Sequence, residues 1–172
     1  SRLSRDEAAP SVGKAHLIAR VLLSDVRAVL SSLREERRID LGSALRSLAE
    51  GCESPRIHLR MPGQFCVEDA RIAHTLFRCA QETITNASRH ARAQNLWLVV
   101  TSTEAGYTLT ARDDGQGVER VSKGGGLVGM EERLSGVAGT LELSTAPGRG
   151  FNVRAFIPVP AGGGPPALLA AS

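Results

Sequence analysis

Gln81-Glu82-Thr83-Ile84-Thr85-Asn86-Ala87-Ser88-Arg89-His90-Ala91 lies near the middle of a 172-residue chain and governs how the remainder is read. As helix, it places Glu82, Asn86 and His90 on one face at intervals of four, and Leu76, Ala80, Ile84, Ala87 and Ala91 on another. One face is apolar; the other is a ladder of carboxylate, amide and imidazole. A carboxylate and an amide oxygen one turn apart are hard donors. Magnesium accepts such donors in one or two places and keeps waters and substrate phosphates for the rest. The same pattern also fits the solvated face of an amphipathic helix, so the choice falls to segments downstream.

The chain has room for one ordinary domain plus an appendage, and 42% hydrophobic residues suffice for a real core. Net charge is +3, but the cations are dispersed and only 3% of residues are aromatic, which argues against a nucleic-acid partner bound through a basic stripe with stacking platforms. Cys52, Cys66 and Cys79 are an odd number without ligand-like spacing and read as reduced, buried thiols of a cytoplasmic protein. No apolar run approaches the ~18 residues of a membrane span, and no basic-then-apolar leader opens the chain.

Outward from the central stretch, the pattern predicts a helix over residues 67–91 and strands at 95–102, 107–112, 140–144 and 151–157. A further helix is expected over 127–137 and a short strand at 56–61. Residues 95–102 are apolar on both faces, as in a strand covered from both sides. Asp40 caps a helix over 41–50 that Gly51 ends. Before it, Ile18, Leu22, Val26, Val29 and Leu33 form a narrow apolar stripe over 11–37. A helix of that length reaches roughly 40 Å and suits packing against a second helix or a second copy of the chain. The Gly-Gly-Gly-Pro-Pro tail at 161–172 reads as mobile. Strands joined by tight turns cannot build a parallel doubly wound sheet. The expected fold is therefore α+β, a two-layer sandwich with a mixed, mostly antiparallel sheet and helices on one face.

Two loops carry chemistry. Asp113-Asp114-Gly115-Gln116-Gly117 follows a strand, and Gly124-Gly125-Gly126-Leu127-Val128-Gly129 opens a helix. Glycines allow close backbone approach, and amides at a helix start point at an anion, so phosphate suits the second loop. Asp113 could accept a hydrogen bond from an exocyclic amine such as that of adenine. Neither loop is a P-loop or a dinucleotide fingerprint.

In order and spacing, Glu82-xxx-Asn86-xxx-His90, Asp113-x-Gly115-x-Gly117 and Gly124-x-Gly126-Leu127-x-Gly129 together resemble the N, G1 and G2 boxes of an ATP-binding domain. Sensor histidine kinases, gyrase-type topoisomerases, mismatch-repair ATPases and related chaperones share that domain. The resemblance covers residues 40–158. Gly129-Met130-Glu131-Glu132-Arg133-Leu134 and Asn86-Ala87-Ser88-Arg89-His90-Ala91 look like the sensor kinases of the nitrate and degradative-enzyme response class.

The resemblance implies a Bergerat-type fold over residues 39–160. Residues 1–38 would be the second helix of a dimerisation and histidine-phosphotransfer domain, with Asp25-Val26-Arg27 matching that class. It implies ATP and Mg2+ as ligands. Asn86 would coordinate magnesium, with Glu82 supporting it or orienting a water. Asp113 would bind the adenine amine, with Gly115 and Gly117 shaping its pocket. Gly124, Gly126, Leu127 and Gly129 would lie along the lid and helix start that hold phosphates, and Arg89 and His90 would stand at the ladder's far end. Partners would be a response-regulator receiver domain and a phosphoacceptor helix in a homodimeric parent, which could be membrane-anchored. None of His16, His58, His74 and His90 has the acidic neighbour of the family's acceptor histidine, so the acceptor helix is expected outside this chain. Phe151 stands where the family commonly has a threonine after Gly-x-Gly, which bears on a phosphate-side hydroxyl contact. An anti-sigma-type serine kinase on the same fold, or a non-catalytic interaction domain, are the alternatives.

Overall fold

A computed structural model of the chain describes residues 38–122 and 124–159. The expected helix over 11–37 and the tail at 161–172 lie outside the described residues. From Ile39 onward the described residues belong to one compact unit.

β1 (Ile39–Asp40) leads directly into α1 (Leu41–Glu50). Asp40 caps α1 by accepting from the Ser43 amide at 2.9 Å, and Leu41, Gly42 and Leu45 are its buried residues. β2 (Arg56–Arg60) and β3 (Cys66–Val67) follow, and β3 pairs antiparallel with β1. Asp69 then caps α2 (Ala70–Asn86), accepting from the Arg71 amide at 2.7 Å and the Ile72 amide at 3.4 Å. β4 (Asn95–Thr103) and β5 (Gly106–Asp113) form a hairpin. α3 (Gly125–Ser135) precedes the closing hairpin of β6 (Thr140–Thr145) and β7 (Phe151–Pro158).

The main sheet has five strands in the order β2-β4-β5-β7-β6. Only β2 runs parallel, alongside β4, and the other neighbours are antiparallel, so the sheet is mixed as expected. Its inner face carries Leu96, Leu98, Val100, Leu109, Ala111, Val153, Ala155 and Ile157, packed with Leu76, Cys79, Ala80 and Ile84 of α2 and Met130 and Leu134 of α3. At roughly 25 cal/mol per Å2 this apolar burial is the main source of stability.

Two expectations change. The helix expected over 67–91 starts three residues later, at Ala70, and stops at Asn86; Ala87–Ala91 is a single π turn, closed by Arg92 at φ 52°. Thr83-Ile84-Thr85 is a β-branched run, and both threonine hydroxyls donate back to carbonyls four residues earlier, Cys79 and Gln81, at 2.8 Å. Such back-bonding loosens the regular ladder just before the turn widens. Second, β4 is not covered on both faces. Leu96, Leu98 and Val100 are buried while Trp97 is 42% exposed, so no element among the described residues covers the outer side of the sheet there. No helix among the described residues is long and apolar enough to cross a membrane.

Candidate functional site

Period-two alternation along β5 fixes the site's floor. Leu109 and Ala111 point to the helices, so Asp113 does too, and its carboxylate is carried into the core at 5% exposure while Arg112 turns outward. Its Oδ1 accepts from the Gly115 amide at 2.8 Å and the Phe151 amide at 3.2 Å. Oδ2 has no hydrogen bond among the described residues, yet it is not sealed from solvent. A buried carboxylate with one oxygen satisfied by the backbone and the other open to a cavity is built to accept from a ligand donor.

That cavity holds about 600 Å3, the size of a small-molecule site, between α2, the π turn, the loop after β5, the start of α3 and β7. Glu82, Asn86, Arg89, His90, Asp113, Gly117, Gly124, Gly126 and Leu127, all singled out from the sequence, line it. Asn86 and Glu82 have no side-chain partner among the described residues, so both oxygens remain available.

Gly115 and Gly129 do not line the cavity. Gly115 is buried behind Asp113, where a Cβ would collide with the Ala91 carbonyl and sit 2.7 Å from its Cβ. Its lack of side chain lets the loop press on the π turn, and the Gln116 amide then bonds the Ala91 carbonyl at 2.8 Å while Gln116 Nε2 reaches the His90 carbonyl at 3.1 Å. Gly129 lies a turn inside α3, where a Cβ would stand 2.9 Å from a guanidinium nitrogen of Arg133. The π turn also breaks the spacing of four, so His90 reaches the cavity from a widened turn rather than from the same helical face as Asn86.

α3 begins without a side-chain cap at Gly124, leaving its first amides for another acceptor. A Cβ on Gly126 would overlap the Glu82 carboxylate, so the start of α3 is packed against that acid. Further side chains complete the walls, of which Val121, Val153 and Arg120 were not singled out from the sequence. Phe151, Val153, Leu127 and Val121 supply apolar surface, and Arg120 a cation. Phe151, expected from the sequence to bear on a phosphate-side contact, sits beside Asp113 through its amide, at the start of β7 opposite Thr145. Asp114 is also structural. It accepts from the Gln94 and Asn95 amides at 2.8 and 2.9 Å and from Asn95 Nδ2 at 2.8 Å, and these bonds, the Asn95 side chain first, hold its carboxyl below the ordinary value.

Among the described residues no group of three or more His, Cys, Asp or Glu side chains could cage a metal. Magnesium asks less of a protein, and the free oxygens of Glu82 and Asn86 beside an anion-ready helix start fit it.

Residues 72–161 match the family described as histidine kinase-, DNA gyrase B-, and HSP90-like ATPase. Over 147 residues the chain is 30% identical to the sensor histidine kinase YxjM of Bacillus subtilis, covering 83% of this chain and 36% of that protein. To the signal transduction histidine-protein kinase/phosphatase UhpB of Salmonella typhimurium it is 33% identical over 138 residues, covering 74% of this chain and 27% of that protein. It thus spans about a third of the length of such relatives. The ATP-binding domain of PrrB from Mycobacterium tuberculosis has the same fold, with TM-score 0.57 and 22% identity over 72% of this chain and 97% of that one. A buried acid flanked by glycine turns, a polar helix end and an uncapped glycine-rich helix start, all on one cavity, agree with that match, and the chain belongs to the histidine kinase-, DNA gyrase B- and HSP90-like ATPase family, with sensor histidine kinases among its relatives.

Proposed function

We propose that this chain is the ATP-holding catalytic part of a sensor histidine kinase and presents the terminal phosphate of ATP to a histidine on a phosphoacceptor helix. From there the phosphoryl group would pass to a response-regulator receiver domain. In this reading residues 1–38 belong to the dimerisation region of a longer homodimeric parent working in the cytoplasm, and residues 161–172 are a tail. The observation that carries the nucleotide reading is the free Oδ2 of Asp113 at the floor of the cavity.

The adenine would lie against Phe151 and Val153, with its exocyclic amine donating to Asp113 Oδ2. Asp113 then acts as a selector, since a purine with a carbonyl at that position would oppose acceptor to acceptor. The phosphates would run toward Asn86 and the uncapped amides of α3, with Arg89, His90 and Arg120 as cations or donors at the rim. Glu82 and Asn86 would hold magnesium, which neutralises phosphate charge. Glu82 is placed to orient the attacking imidazole or a water, and the glycines let the backbone follow the phosphates. Phosphoryl transfer then rests on placement and charge neutralisation.

Titration of a fluorescent ATP analogue tests this. Binding should strengthen with magnesium in the intact chain, and Asn86→Ala should remove that magnesium dependence. Equal affinity with and without magnesium in the unsubstituted chain would contradict the assignment of Asn86 and Glu82. The wider kinase reading predicts phosphoryl transfer to a separately supplied acceptor helix of the parent and none to a serine of a partner, the anti-sigma alternative.

A further inference from the structure

The outer face of the sheet is a second, chemically distinct surface. β2 exposes Arg56, His58 and Arg60, alternating with half-buried Ile57 and Leu59. Strand register puts His58, Trp97, Arg112 and Asn152 in one row, and Arg60, Val99, Thr110, Arg154 and Glu142 in the next. Trp97 is the chain's one tryptophan and is 42% exposed. A shallow depression of about 670 Å3 lies beside it, over Val99 and between Arg112, Asn152, Arg154 and Glu142.

The indole is held in place. The His58 ring stacks on it with centroids 5.5 Å apart and planes 13° from parallel. Asn95 commits its Nδ2 to Asp114 at 2.8 Å, so its oxygen can only accept, and His58 Nε2 donates to it at 2.9 Å. Asp114, Asn95 and His58 therefore fix a rigid apolar plate on an open sheet, which lowers the ordering cost of binding there.

The charge around the plate is lopsided. Arg56, Arg60, Arg112 and Arg154 face outward against two carboxylates, Glu142 and the Asp114 that holds Asn95, and none of the four is in an ion pair among the described residues. Arg112 and Arg154 are diagonal neighbours on adjoining strands, with Cα atoms about 7–8 Å apart. Arginines on adjoining strands beside an exposed aromatic ring match carboxylates flanking an apolar side chain, and Trp and Arg are the residue types that concentrate binding energy at interfaces. Single-stranded nucleic acid needs successive stacking platforms, whereas here there is one, with one ring face already taken by His58.

We infer that the outer face of the sheet docks an acidic segment of a protein partner, with an apolar side chain seated beside Trp97 and carboxylates on Arg112, Arg154 and Arg60. The inference stands apart from the nucleotide reading, because Arg112 and Asp113 point to opposite sides of β5.

Because Trp97 is the only tryptophan, its emission reports this face alone. The full chain is titrated with a synthetic peptide of glutamates flanking a Leu-Leu pair, with the lysine counterpart of that peptide, with a single-stranded oligonucleotide, and with phosphatidylserine vesicles. The expected result is a saturable emission shift with the glutamate peptide alone. Its affinity should fall at least ~10-fold between about 50 mM and 500 mM salt. The shift should disappear in the double variant Arg112→Glu, Arg154→Glu, while that variant still binds the fluorescent ATP analogue as the unsubstituted chain does. No saturable shift with the glutamate peptide, a shift that survives the double substitution, or a response to the oligonucleotide or vesicles in its place would overturn the inference.

Discussion

Asp113 combines burial with an unspent acceptor, and its neighbours keep that acceptor aimed. In Asp113→Asn the amide oxygen can still accept from Gly115 and Phe151, but an NH2 replaces Oδ2 and meets the amine of adenine donor to donor. The loss is that of a hydrogen bond to a charged group, about 1.5–3 kcal/mol, or roughly 10- to 150-fold in nucleotide affinity. Calorimetric titration beside a thermal melt checks it; unchanged affinity in a folded variant means the base lies elsewhere. Cys79 is a second residue with a definite expectation. Burial pushes its thiol up to about 12, and the more modest pull of Arg133 the other way does not offset this. A thiol reagent at mildly alkaline pH should therefore modify half-buried Cys52 and Cys66 in the native chain and reach Cys79 only after unfolding. Modification of Cys79 at the same rate as the others would show that α2 is not packed as described.

At the scale of elements, the caps and clamps are carboxylates. Ser43 holds Asp40 low, first through its side chain and then its amide. Burial raises Asp69, but the Arg71 and Ile72 amides and the Arg71 side chain together lower it, and Asn95 lowers Asp114. All three are depressed in the folded state relative to 3.8. Their contribution is present above that value. It is lost as pH falls through it toward the folded values, where the unfolded chain takes up protons first. Thermal stability should therefore decline on acidification below about pH 4, and Asp114→Asn should flatten that decline. An unchanged acid profile in the variant would remove Asp114 from this role. Asp69→Ala, which uncaps α2, should cost about 1 kcal/mol by denaturant unfolding. The cap at Asp40 and every main-sheet strand were legible from periodicity and capping residues, because those signals are local. The π turn was not. A spacing of four describes a regular helix, and the widening comes from β-branched Thr83-Ile84-Thr85 with back-bonded hydroxyls and from the contact of Gly115 with Ala91, which only the fold brings about.

Across the whole molecule, the sheet order and the parallel pairing of β2 with β4 join residues far apart in the chain, beyond what periodicity carries. The open outer face escaped the reading of residues 95–102 for the same reason: an apolar Trp97 reads as core until no described residue is found to cover it. Of the site, the carboxylate, the amide and most of the glycines were visible in advance, whereas Val153, Arg120 and the supporting role of Gly115 needed the cavity. Since the glycine-rich segment before α3 must be ordered around phosphate, the isolated chain should bind ATP in the micromolar range or more weakly, about 1 μM at best. Submicromolar binding by calorimetry would count against that ordering step. The most direct measurement is a crystal structure of the chain with a non-hydrolysable ATP analogue and magnesium. The account predicts the adenine amine within hydrogen-bond distance of Asp113 Oδ2 and the metal on Asn86; a nucleotide bound elsewhere, or a cavity left empty at saturating ligand, would contradict it.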